Sequence, residues 1–256
     1  MNYMTSLRAE FLKVKRTSLI YFTILASVFV PVVMLLENLD GTPIGNPGWA
    51  DPFQTYYAQG WMFIAILILP MFIVLISTLL LQIEHRNYTW KQVVASPQQF
   101  HTLLISKFLV LQAFIIIMLL VYNVLMLAAA LPIDLLYPDF NIFSYLDSWD
   151  SLLLVNVRTY FAALGISGLQ FWLALRFRNF IVSLGLGMLL CIVGPLLVFE
   201  FKIESILVNF PFALSILVNI KKYTAISVRI QWLSVGYMVA FLAIAFVEFN
   251  RKKVKS

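Results

Sequence analysis

Of 256 residues, 62% are apolar and only 12% charged, and the mean hydropathy is +0.91. A soluble globule with so little polar surface could not cover itself, so a soluble fold is excluded and lipid is the expected solvent. The net charge of +6 calls for no nucleic-acid partner, because lysines and arginines that flank membrane spans pair with anionic inner-leaflet lipid.

The chain opens on a predicted helix over residues 1–17. Met4, Leu7, Phe11 and Val14 recur on one face at steps of three and four, with Arg8, Lys13, Lys15 and Arg16 elsewhere around it. Such a helix either lies along the inner membrane surface or extends the first span into the cytoplasm. The first apolar run, Ser18 to Leu36, is too long for a signal-peptide core and has no small-residue cleavage site, so it is expected to stay as a span. Further runs follow at Trp61 to Ile83, Phe108 to Leu131, Thr159 to Leu175, Phe180 to Phe199 and Ile230 to Val247. A helix rising ~1.5 Å per residue crosses a ~30 Å hydrocarbon core in roughly 20 residues, and all but the fourth run approach that length. The expectation is an all-α membrane protein of six transmembrane helices, a single domain over residues 1–256. Pro31, Pro70 and the Gly194-Pro195 pair are expected to bend spans one, two and five.

Orientation follows from the basic residues. Arg8, Lys13, Lys15 and Arg16 precede span one, and Arg86, Lys91 and Lys107 separate spans two and three. Arg176 and Arg178 separate spans four and five, and Arg251, Lys252, Lys253 and Lys255 follow span six. The connections Asn38 to Gly60 and Pro132 to Ser151 carry aspartates and no Lys or Arg. Positive charge marks the inside, so both termini are expected in the cytoplasm. Glu200 to Arg229 is long, partly apolar and interrupted by Pro211; it reads as an outer re-entrant hairpin, as a pair of interfacial helices, or as a further crossing.

Between spans two and three the chain is longer than a plain turn needs. Trp90, Val93 and Val94, then Phe100, Leu103 and Leu104, suggest two short amphipathic helices split by Pro97. They form either a docking surface or helices that rest on lipid headgroups.

Most site chemistry is missing. No Gly-x-x-x-x-Gly-Lys-[Ser/Thr] loop occurs, so nothing cradles a nucleotide phosphate in that way. His85 and His101 lack ligand spacing, which argues against a metal, and Cys191 is the sole cysteine. Gly165-Ile166-Ser167-Gly168 copies the Gly-x-Ser-Gly of intramembrane rhomboid proteases, but span six has no histidine to act as base, and close helix packing explains the small residues better. Gln112, Asn123 and Gln170 are the polar groups expected at mid-membrane, too little for a proton pathway. Neither a catalytic residue nor a cofactor is expected.

Ser6-Leu-Arg-Ala-Glu10-Phe11-Leu-Lys13-Val-Lys15-Arg16-Thr17 resembles the opening of type-2 ABC transporter permeases, particularly the branch with lantibiotic-immunity permeases. Glu84-x-Arg86-x-x-Thr89-Trp90-Lys91, then Pro97 and Ser106-Lys107, is similar to the same family's loop between spans two and three. The resemblance implies a cytoplasmic coupling helix that docks on a separate dimeric ABC ATPase through Glu84, Arg86, Thr89, Trp90, Lys91, Pro97 and Lys107. It also implies an interfacial helix with Glu10, Phe11, Lys13, Lys15 and Arg16, and an outer re-entrant segment before span six. A second permease, identical or homologous, would complete an exporter of peptide, lipid-like or other amphipathic cargo in a bacterial plasma (inner) membrane. Tyr88 stands where many members have Gly, which leaves the turn geometry there open. Two other classes stay open: a membrane scaffold or sensor that uses the docking loop without transport, and an unassisted channel or carrier.

Overall fold

The computed structural model describes residues 3–15, 17–39, 52–86, 100–137, 149–177, 179–201 and 204–254. Every regular element among them is helical. A short helix, α1 (Tyr3–Val14), precedes α2 (Leu19–Leu39). The second span is α3 (Pro52–Phe63) and α4 (Leu69–Arg86), joined by one wide π-turn segment, Ile64–Ile68. Then come α5 (Phe100–Leu136), α6 (Trp149–Arg176) and α7 (Phe180–Leu196), the last continued by a π segment, Leu197–Phe201. The short helices α8 (Glu204–Leu207) and α9 (Pro211–Leu217) and a 3-10 turn, Lys221–Ile226, lead into α10 (Ser227–Val254). Among the described residues, six helices are long and apolar enough to cross a membrane. Their outward faces leave Ile24, Leu25, Leu120, Val124, Ile192 and Val239 exposed, a surface that water would not tolerate but acyl chains match.

Two boundaries differ from the sequence reading, and one open alternative is decided. Phe100, Leu103 and Leu104 do not form a separate amphipathic helix: α5 runs through them, and Leu103 and Leu104 are buried. With no proline between Phe100 and Leu131, nothing ends the helix before the span begins. The fourth span starts at Trp149, well before Thr159, because its polar residues find partners on other helices. α9 is a seven-residue helix, every residue of it buried against α6, α7 and α10. At ~1.5 Å per residue it rises only about 10 Å, so Glu200 to Arg229 does not make a further crossing.

Asn156, Thr159, Ser167 and Gln170 fall on one face of α6 and meet four neighbours in turn. Asn156 exchanges hydrogen bonds with Asn123 of α5 and donates to the Tyr57 hydroxyl of α3, 3.2 Å away. Thr159 Oγ1 accepts from Trp61 Nε1 at 3.0 Å and from Asn219, just past α9, at 2.8 Å. Ser167 accepts from Gln112 of α5 at 3.0 Å. Gln170 donates to Thr78 of α4 and to the Ser183 carbonyl of α7. Such interhelical bonds contribute ~0.6 kcal/mol each on average, at most about 1.7, so their number and placement matter more than any one.

Proline explains one further contact. A π-turn bond runs from Leu69 N–H to the Ile64 carbonyl, and the next donor in that pattern is Pro70, which has no N–H. The Ala65 carbonyl instead accepts from Ser215 Oγ of α9, 3.4 Å away. Small residues set the closest helix pair: the Gly165 amide donates to Ser234 Oγ at 2.7 Å, and Ser234 donates on to the Ala162 carbonyl. A Cβ on Gly168 would lie 2.7 Å from Met238 Cα, a backbone atom that cannot swing away. Gly168→Ala should therefore push α6 from α10 and destabilise the bundle by about 1–3 kcal/mol. Gly185→Ala, with nothing within 4 Å of the added methyl, should be neutral or slightly stabilising; thermal melting of the two variants in one detergent checks the contrast.

Candidate functional site

The two segments singled out in the sequence meet at their edges. α1 packs lengthwise on the start of α5, and it turns inward Ser6, Glu10 and Val14, not the whole stripe that periodicity picks out. Met4 and Phe11 are exposed. Ser6 and Glu10 are four residues apart and so share a face. Opposite them, Ser106 and Lys107 stand side by side on α5. Ser106 Oγ donates to Ser6 Oγ at 3.1 Å, and Lys107 Nζ donates to Glu10 Oε2 at 2.5 Å. Lys13 Nζ closes on the other carboxylate oxygen, also at 2.5 Å.

Glu10 is 2% exposed and Lys107 1%. Burial is the largest influence on the Glu10 carboxyl and pushes its pKa up, but the charge and hydrogen bond of Lys107, with those of Lys13, outweigh it and hold the group below its usual 4.5. The carboxylate is thus ionised at neutral pH between two ammonium groups. Removing one partner of such a pair strands a charge at a cost of roughly 3–5 kcal/mol, whereas replacing both with apolar groups is often tolerated.

Of the residues assigned by resemblance, the structure brings Glu10, Lys13 and Lys107 together. Phe11 and Lys15 are exposed, and Arg16 lies outside the described residues. Glu84 and Arg86 belong to the last turn of α4. Thr89, Trp90, Lys91 and Pro97 lie outside the described residues. Lys107 faces α1, so in this conformation its ammonium is closed to any partner protein. The sequence reading missed the pairing itself, although opposite charges stand in the two motifs with a serine beside or one turn from each. At the same end of the bundle Glu248 of α10 accepts from Trp172 Nε1 at 3.0 Å and pairs with Arg176 at 3.4 Å, and the Arg176 guanidinium lies 5.4 Å from the Trp172 ring centre. Ser167 of the Gly-x-Ser-Gly sequence donates to the Leu164 carbonyl at 2.8 Å, which ties it into its own helix. Among the described residues no three His, Cys, Asp or Glu side chains gather as metal ligands.

These features define a multi-pass helical membrane protein with its N-terminal helix locked to the root of the third span. Residues 6–194, about three quarters of the chain, match the family described as ABC-2 family transporter protein, and the chain belongs to that family. The match contains Ser6, Glu10, Ser106 and Lys107 and ends just before Pro195, leaving α9 and α10 beyond it. No curated protein matches the chain. The protein is thus a transmembrane subunit of an ABC transporter, the transport component and not the ATPase, in a family that generally works with an ABC ATPase partner.

Glu10→Gln should loosen α1 from α5, and amide exchange in α1 should speed up by about two orders of magnitude or more. Glu10→Leu combined with Lys107→Met should restore most of that protection. Because the folded carboxyl titrates below 4.5, its contribution is complete above that pH and fades as the pH falls through the lower folded value. Exchange corrected for its intrinsic rate should show constant α1 protection from pH 7 to 5 and a loss only in stronger acid.

Proposed function

We propose that this chain is the permease subunit of an ATP-driven exporter in a bacterial inner membrane, with both termini and the 87–99 segment in the cytoplasm. The orientation rests on the basic residues before α2, at the junction of α6 and α7 and at the end of α10, against aspartates as the charged residues common to the stretches 38–60 and 132–151, which hold no Lys or Arg. The stretch from Glu84 to Pro97 serves as the coupling element: Glu84, Arg86, Thr89, Trp90, Lys91 and Pro97 meet the ATPase, while Lys107 acts one step back as a positioning residue. α1 lies in the inner membrane interface, and α8 with α9 forms an outer re-entrant segment.

The observation that carries this reading is the buried Glu10–Lys107 pair. It ties α1 to the first turns of α5, the helix that the coupling segment enters, so a push on that segment reaches α1 and, through it, the start of α2. ATP binding closes two ATPase subunits, their motion enters through segment 87–99, and two paired permeases, identical or homologous, switch access. Cargo passes between them along spans two and five. The apolar, aromatic-rich composition suits a peptide, lipid-like or other amphipathic cargo, as in antimicrobial-peptide export or immunity.

Trp90→Ala together with Lys91→Glu tests the docking surface. With an ABC ATPase co-expressed, the variant should retain at least about tenfold less of it on purification, a shift of ~1.4 kcal/mol, with the helical content of the bundle unchanged. Wild-type retention by this variant sinks the docking assignment. Hydrolysis by the complex that does not respond to amphipathic peptides would point to a scaffold in place of an exporter.

A further inference from the structure

A groove of about 440 Å³ runs along the outside of the bundle between α1, α2 and α5. Its α1 edge is made by Arg8, Phe11, Leu12 and Lys15, spaced so that all four share one helical face. Lys15 follows α1 directly and its amide still donates to the Phe11 carbonyl at 3.2 Å, which keeps it on that face. All four are exposed. From this cationic edge the groove continues past Ile24 of α2 and Ile117 and Val121 of α5. The two hydroxyls in its wall are turned away from it: Thr23 donates to the Leu19 carbonyl, and Ser27 bonds the Thr23 and Met118 carbonyls. What lines the trough is therefore hydrocarbon, the stems of Arg8 and Lys15 included, and their exposed charged ends stand at its rim.

We infer that this groove is a binding site for one anionic phospholipid, its phosphate between Arg8 and Lys15 and an acyl chain laid against Ile24, Ile117 and Val121. A purely apolar partner helix would leave the cations unanswered, and a soluble anion would leave the trough empty; a lipid with a charged head meets both demands. The two cations stand about 10 Å apart along the helix axis, from seven residues at ~1.5 Å each, so one headgroup lies between them and not on either alone. Arg supplies a forked donor and Lys a mobile point charge, a combination suited to a phosphodiester. The site is independent of the transport reading and requires only that the chain sit in a bilayer.

The test uses the full chain in phosphatidylcholine nanodiscs that carry a small fraction of phosphatidylglycerol with a photoreactive group on its acyl chain. Cross-links should concentrate on the peptides containing Ile24, Ile117 and Val121, and fall about tenfold in Arg8→Gln, Lys15→Gln together. Photoreactive phosphatidylcholine should label the same peptides weakly and ignore that change. Ile117→Trp, which fills the trough and leaves the charges intact, should also abolish the phosphatidylglycerol signal, and it decides the matter if the double variant misfolds. Equal labelling by the two lipids, or labelling indifferent to both substitutions, overturns the site. So does an Ile24→Cys variant that cross-links between two copies in the bilayer while lipid labelling is lost, since the occupant is then a second copy of the chain.

Discussion

Inside a hydrocarbon core a side-chain amide or hydroxyl finds no water, so a span that carries one must bring it to a partner on another span. α6 carries four on one face, and each is answered from other segments: Asn123 and Tyr57, then Trp61 and Asn219, then Gln112, then Thr78 with the Ser183 carbonyl. Van der Waals packing alone discriminates little between helix neighbours in lipid, since the tails are as apolar as the side chains. The ladder on α6 supplies the missing discrimination. It fixes the rotation of α6 about its own axis and the height of each neighbour, and the Gly165 and Gly168 face, directed elsewhere, is left for α10.

The packing divides on either side of that ladder. α1 and α2 each hold closely to α5, while α4, α6, α7, α9 and α10 hold to one another, and contact between the groups is thinner. Polar bonds bridge the division, from Gln112 to Ser167, from Tyr160 to Gln112 and between Asn123 and Asn156. A seam held by a few directional bonds and little surface is one along which two rigid groups can shift at modest cost. The ion pair between Glu10 and Lys107 lies wholly within the first group, so α1 travels with α5 in any such shift.

Hydropathy made the six spans legible because the bilayer sets their length and the chain meets it with apolar runs. It misjudged where spans begin when the deciding contact was distant. Asn156 and Arg158 depress a local window, yet Asn156 belongs inside α6 because Asn123 and Tyr57 receive it. α1 shows the same limit. Periodicity picked out the apolar stripe Met4, Leu7, Phe11 and Val14, of which Met4 and Phe11 are exposed, but could not show that Ser6 and Glu10 are buried, since the partner that makes a buried glutamate tolerable is Lys107 on another helix. The motifs nonetheless contained the site: Ser6, Glu10, Ser106 and Lys107 were all in them, and what no local pattern could supply was that the two motifs face each other.

Docking α1 through an ion pair, with Met4, Phe11 and Leu12 left outside, has a physical logic. A helix this short is marginal by itself, and an apolar face against α5 would have stabilised it, but in several registers of nearly equal energy. A carboxylate between Lys107 and Lys13 permits one register only, because a slip of a single turn would carry Glu10 and Lys107 past each other and strand both charges away from water. Ser6, one turn from Glu10, and Ser106, beside Lys107, are matched only in that same register. With the inward face committed to position, Met4, Phe11 and Leu12 are left exposed, and Arg8 and Lys15 stand among them. The register of α1 on the bundle thus depends on charge, while its outer face keeps an exposed apolar surface.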